Sequence, residues 1–175
     1  MVQLVVGVLQ ILTVILVAVA MALALAHALE LPGKMRLGRE TYNAVQPIYY
    51  PGFTVGGGIG EAGGTMSTIV LLLLEPPGSA GFWLTLVALL GLIGMQAVYW
   101  LFTHPVNKFW VEGEDLGRFG SGFFSFGANR SRPGNEPRPP DWTRLRDRWE
   151  YSHVARAALA LVSLISLVVA VSMNG

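Results

Sequence analysis

Residues 56–74 read GGGIGEAGGTMSTIVLLLL, and the fold turns on whether this stretch crosses a membrane. The apolar half, 66–74, is too short alone, because a hydrocarbon core of about 30 Å takes roughly 20 helical residues. Joined to the glycine-rich half it reaches about 18 residues, enough for a thin or slightly tilted crossing. Gly56, Gly60 and Gly64 recur every four residues, a spacing that lets helix backbones approach closely in lipid. The competing possibility is a glycine-rich loop followed by a half-helix. Glu75-Pro-Pro-Gly then closes the stretch with a tight turn.

Three other stretches are plainer. Residues 2–29 and 80–103 carry no charge, and 154–173 carry only Arg156. The first lacks the basic start of a secretory signal and is about twice as long as its apolar region, so it reads as a retained helix. Composition agrees: 53% of the 175 residues are hydrophobic and 13% are charged, against about 25% charged in soluble domains. A formal net charge of +1 gives no electrostatic footprint for nucleic acid, and the absence of cysteine excludes disulfides, iron–sulfur clusters and thiolate zinc sites.

Charge placement decides between three helices and four. All twelve Lys and Arg lie in 34–39 or 108–156. Four helices put both segments on one side of the bilayer, whereas three would divide them. The positive-inside rule makes that side cytoplasmic. The expectation is an all-α integral membrane four-helix bundle, with helices at about 2–29, 57–75, 80–104 and 141–173. It is multi-pass in the inner (plasma) membrane, with both termini extracytoplasmic. Cytoplasmic segments 30–55 and 105–140 hold a short interfacial helix and a long loop.

In the first segment Tyr42, Val45 and Tyr49 follow helical spacing, and Tyr49, Tyr50 and Phe53 suit the headgroup region. In the second, Phe109, Trp110, Phe119, Phe123, Phe124 and Phe126 pack on the bundle or dip into the interface, and 129–140 reads as a mobile proline-rich stretch. Pro105 disfavours helix at His104 and ends the third helix there. Asp141 N-caps the fourth.

This topology brings the chain's three histidines to one depth. His27 and Glu30 end the first helix, Glu61 begins the second, His104 ends the third, and Glu150 and His153 enter the fourth. Ionisable residues at membrane depth are costly and mark functional sites by default. Trp142, Arg146, Trp149, His153 and Arg156 are spaced 4, 3, 4, 3 and share one face, continued by the small residues Ala160, Ser163 and Ala170. Gln10, Thr13, Ala20 and His27 share a face of the first helix, so both helices point a histidine at a common space.

Three accounts fit these residues. His27, Glu30, Glu61, His104 and His153 could ligate iron, copper or zinc, since His27–Glu30 and Glu150–His153 are i, i+3 pairs like those of di-metal bundles. A histidine could instead be a general base tuned by a carboxylate or arginine, needing no metal and acting on an amphipathic organic substrate drawn from the bilayer. Or the residues form a structural network in which Arg156 pairs with Glu61.

Pro105-Val106-Asn107 after the third helix and Trp149-x-x-x-His153-x-x-Arg156 entering the fourth resemble the anthrone-oxygenase-like family of small four-helix membrane proteins, most members of which are classed as a domain of unknown function. The resemblance covers most of the chain through helix order and, in specific motifs, about the last 70 residues. Members of known activity oxidise polyphenolic anthrones to anthraquinones with molecular oxygen. The resemblance implies His153, Arg156 and Asn107 as catalytic residues, His153 as base and Arg156 as stabiliser of the phenolate or enolate. The expected function is thus a membrane-embedded, oxygenase-like or redox enzyme acting on a hydrophobic aromatic or quinone-like compound. Trp149, Tyr42 and Tyr49 would bind the substrate. The rival is a non-enzymatic small subunit of a larger membrane complex, and homo-oligomerisation stays open.

Overall fold

The computed structural model describes residues 1–110, 120, 122–123 and 141–173. The α-helices bounded within the described residues are, in order, α1 (Val2–Lys34), α2 (Arg39–Val45), α3 (Gly52–Leu74), α4 (Ala80–Val98), α5 (His104–Trp110) and α6 (Trp142–Met173). A 3₁₀ turn, Gln46–Tyr49, extends α2, and a π turn, Tyr99–Thr103, joins α4 to α5. No strand occurs among the described residues. Four helical runs are long and apolar enough to cross a membrane: Gln3–Lys34, Gly52–Leu74, Ala80–Asn107 and Trp142–Met173. The 56–74 stretch is helical from end to end, so its glycine half is not a loop.

The four long helices form a ring in which each neighbour runs antiparallel, α1 against α3, α3 against α4, α4 against α6 and α6 against α1. Glycine makes the α1–α3 contact possible. A Cβ on Gly60 would lie 2.9 Å from the Ala20 amide nitrogen and 3.0 Å from the Leu16 carbonyl oxygen, both backbone atoms. Gly91 serves α4 likewise, where a Cβ would meet the Leu159 carbonyl of α6 at 3.0 Å. In lipid, where apolar burial drives little helix association, such close approach supplies the contact energy. Three buried hydroxyls inside the ring are satisfied within their own helices: Thr13 donates to the Leu9 carbonyl, Thr68 to Gly64 and Ser163 to Leu159, at 2.7, 2.7 and 2.9 Å.

The core is layered along the axis. Val17, Leu71, Ala88, Leu92 and Leu167 fill the layer far from the charged residues. Ala20, Ala24, Met95, Ala157 and Ala160 fill the next. Tyr42, Val106, Trp110 and Trp149 close the charged end. Between α3 and α4 the chain turns through Gly78 (φ +84°), and the Ser79 hydroxyl caps α4 by accepting from the Phe82 amide at 3.0 Å.

Several boundaries differ from the sequence expectation. Helix α1 continues through Pro32 to Lys34; its 33 residues make it about 50 Å long, well beyond a hydrocarbon core of about 30 Å. The third long helix does not stop at His104. The π turn carries it past Pro105, and the carbonyl that the proline cannot serve, Leu101, four residues earlier, accepts instead from the Arg148 guanidinium at 2.5 Å. Tyr49 and Phe53 do not face outward: both rings pack on His27. Trp110 is buried at the end of α5, and Phe123 lies against Trp100 and His104. Phe119, Phe124, Phe126 and the 129–140 stretch lie outside the described residues. Asp141 caps α6 as expected, accepting from the Thr143 amide and hydroxyl at 3.0 and 2.7 Å, and those bonds hold its carboxyl below the usual range.

Candidate functional site

The charged end of the ring encloses a cavity of about 270 Å³. Its walls are aromatic: Tyr49, Phe53, Tyr99, Trp100 and Trp149. From the long helices and α5 come the polar groups His27, Glu61, Gln96, Asn107, His153 and Arg156, joined by Gln46 of the 3₁₀ turn and Thr103 of the π turn. Helix α3 brings Phe53, Thr54 and Glu61 to the cavity and, between them, only the small residues Gly57, Gly58 and Ala62. Gly58, Ala62 and Trp100 line the cavity and are exposed. They mark a lateral mouth between α3 and the π turn.

The polar groups form a row, not a scatter. Glu61 accepts from the Arg156 guanidinium on one oxygen and from Gln96 Nε2 at 2.7 Å on the other. Arg156 Nη1 lies 3.1 Å from His153 Nδ1. A guanidinium can only donate, so His153 Nδ1 accepts and the neutral ring carries its proton on Nε2, an assignment made from the bonding pattern. Nε2 is buried and has no hydrogen-bond partner. The His153 ring lies 4.1 Å, centroid to centroid, from that of His27.

His27 sits between Tyr49, Phe53 and Trp149, with ring centroids 4.4, 4.8 and 5.1 Å away. Its Nδ1 is 4.0 Å from Glu30 Oε2. That oxygen also takes the Lys34 ammonium at 3.0 Å and the Tyr49 hydroxyl at 2.5 Å. Lys34 is itself buried, 3.5 Å from Glu150 Oε1, with its charge over the Tyr49 and Trp149 rings. Tyr42 donates to Glu150 at 2.8 Å. Burial first, then the Glu150 charge and hydrogen bond, pushes the Tyr42 hydroxyl far above its ordinary value. Burial and the bond to Glu30 do the same to Tyr49.

The structure sorts the expected site residues. His27, Glu61, Asn107, Tyr49, Trp149, His153 and Arg156 line the cavity; Asn107 Oδ1 accepts from Trp149 Nε1 at 2.7 Å. Tyr42 is not in contact with the cavity. It is fully buried behind Trp110 and Trp142 and belongs to the Glu150 cluster. His104 is turned away, packed on Trp100 at 4.8 Å.

The five residues expected to bind a metal do not converge, and no three His, Asp or Glu among the described residues form a group that could hold one. Both Glu61 oxygens are taken by cations or amide, Glu30 Oε2 by Lys34 and Tyr49, and His153 Nδ1 by Arg156. Removal of Tyr42 and His104 from the site, and of the metal ligand set, are the corrections the geometry makes.

Sequence reasoning missed Lys34, Gln96, Phe53 and Trp100. Lys34 had a signal, since it stands four residues after Glu30, the spacing of a helical ion pair. Gln96 had none beyond being a polar residue in an apolar run.

The chain matches no protein-family model, no curated protein and no solved structure. Its function rests on the site.

Proposed function

We propose that the protein is a membrane-embedded, oxygenase-like enzyme that oxidises a compact hydrophobic aromatic or quinone-like compound. The observation that carries this is an aromatic-walled cavity ending on the buried row Arg156–His153–His27. Its volume, about 270 Å³, is near the lower limit of roughly 300 Å³ for small-molecule sites. That fits a few fused rings or a quinone head and not a long chain. In this proposal the charged end faces the cytoplasm of the plasma membrane and both termini lie outside.

The base differs from the one the resemblance implied. With Nδ1 accepting from Arg156 and the proton on Nε2, His153 has no lone pair free to take a proton. It serves with Arg156 as a donor to a developing oxyanion, both side chains being buried and held in place. His27, facing it across 4.1 Å, is the remaining imidazole and is the base. The substrate class that this row suits has an acidic methylene between aromatic rings, conjugated to a carbonyl or phenol. His27 removes a proton, Arg156 and His153 hold the enolate or phenolate oxygen, and the electron-rich carbon reacts with dioxygen. One oxygen atom replaces the two methylene hydrogens and the other leaves with them as water, so no further reductant is needed.

Anthrone is a suitable probe. Protein in lipid nanodiscs should convert it to anthraquinone, with matching oxygen uptake, above the rate in buffer. His27→Ala should lower that rate by about 10² or more, the usual share of a general base, while helix content is unchanged. A wild-type rate equal to that of empty nanodiscs would sink the oxygenase assignment and favour the small-subunit role.

A further inference from the structure

We infer that Glu30 is the proton outlet of the cavity, carrying to the surface the proton that His27 takes from a bound ligand. The inference rests on His27 being the base. A base enclosed by protein must discharge its proton at every cycle, and His27 has little water of its own. It is 5% exposed, with rings on four sides. Its Nδ1 is buried without a hydrogen-bond partner. The carboxylate nearest that nitrogen is Glu30 Oε2 at 4.0 Å, and the Glu30 side chain is 42% exposed. Glu30 therefore touches both the buried imidazole and the outside.

An imidazole can relay a proton without gaining one. A proton received at Nε2 is matched by one released at Nδ1 to the Glu30 carboxylate. The carboxylate then passes it to water, and the ring exchanges tautomers before the next cycle. No electron moves and the net charge of His27 and Glu30 is restored. The gap must close by about 1 Å to reach a hydrogen bond of roughly 2.7–3.2 Å. Catalytic contacts are often long before ligand binds, and the half-exposed Glu30 carboxylate needs only a small shift within its contacts to Lys34 and Tyr49.

The groups facing Glu30 suit the task. From α1 they are His27 and Lys34, from the 3₁₀ turn Tyr49, and from α6, across Lys34, Glu150. Lys34, 3.0 Å from Glu30 Oε2, holds the carboxylate beside His27. Because Lys34 also pairs with buried Glu150, two carboxylates share one ammonium, so a passing proton is tolerated.

The test uses full-length protein in lipid nanodiscs and a nitronaphthol, whose anion is coloured, in weak buffer with a pH-indicator dye. Stopped-flow mixing should show the anion and the released proton appearing together. Glu30→Gln should slow both at least tenfold with equilibrium affinity within twofold. Glu30→Asp should stay close to wild type, and formate should rescue Glu30→Ala. An unchanged rate in Glu30→Gln overturns the outlet. So does slowing that formate does not relieve, which marks a merely structural role. A wild type that binds the probe without ionising it overturns the assignment of His27 as base, and the outlet with it. A wild type that binds none overturns the cavity as a ligand site.

Discussion

Arg156 and Glu61 are buried together, 6% and 8% exposed, and each makes sense only with the other. Taking a charge out of water costs several kcal/mol, and an ion pair offsets this only when both partners are present. Removing one partner of a buried pair typically costs about 3–5 kcal/mol, whereas replacing both with apolar residues is often near neutral. Arg156→Met should therefore lower the melting temperature in detergent more than the double variant Arg156→Met/Glu61→Leu does. Equal losses would mean that water reaches the pair through the cavity. The same pair also fixes chemistry: Arg156 holds its fork between Glu61 and His153, and so decides which histidine nitrogen bears the proton.

At the scale of the helix, close approach matters more than apolar area. Gly60 faces backbone atoms of α1, which cannot rotate away. Gly60→Ala should cost about 1–3 kcal/mol, the usual range for overpacking. Gly58 has nothing within 4 Å of a Cβ, so Gly58→Ala should be neutral or gain up to about 1 kcal/mol of helix propensity. Thermal unfolding of the two variants separates them, and a Gly60→Ala as stable as wild type would mean the helices are not locked there. The glycine repeat was legible as a helix–helix seam because it depends only on spacing. The four-helix count was legible because charge bias tests it globally. Rotational phase was not. The π turn puts an extra residue into one turn and re-phases the residues after it, so Asn107 and Trp110 line the cavity while His104, also buried, packs on Trp100 away from it. Its tolerance of Pro105 depends on Arg148 of a helix far along the chain, a compensation that local propensity cannot show. The same blindness to phase placed Tyr42 in the site and hid Gln96.

Across the whole molecule, small residues close the ring, and at the charged end the exposed Gly58 and Ala62 of α3 leave its wall thin. The mouth bounded by Gly58, Ala62 and Trp100 is a product of that thinness. Ala62→Phe should narrow it. Association of a bilayer-delivered ligand should slow by about tenfold, with dissociation slowed in step, so that Kd moves little; most contact mutations act on dissociation alone. An unchanged association rate would place the route elsewhere.

A sideways mouth also changes what substrate concentration means. If the proposed substrate enters there from a bilayer, Trp100 and Ala62 would meet acyl chains, and the ligand pool would be the membrane's and not the buffer's. Adding empty vesicles at constant total substrate would then dilute that pool. Half-saturation would track the mole fraction of substrate in lipid, and would look like a drifting KM to anyone counting moles per litre of water.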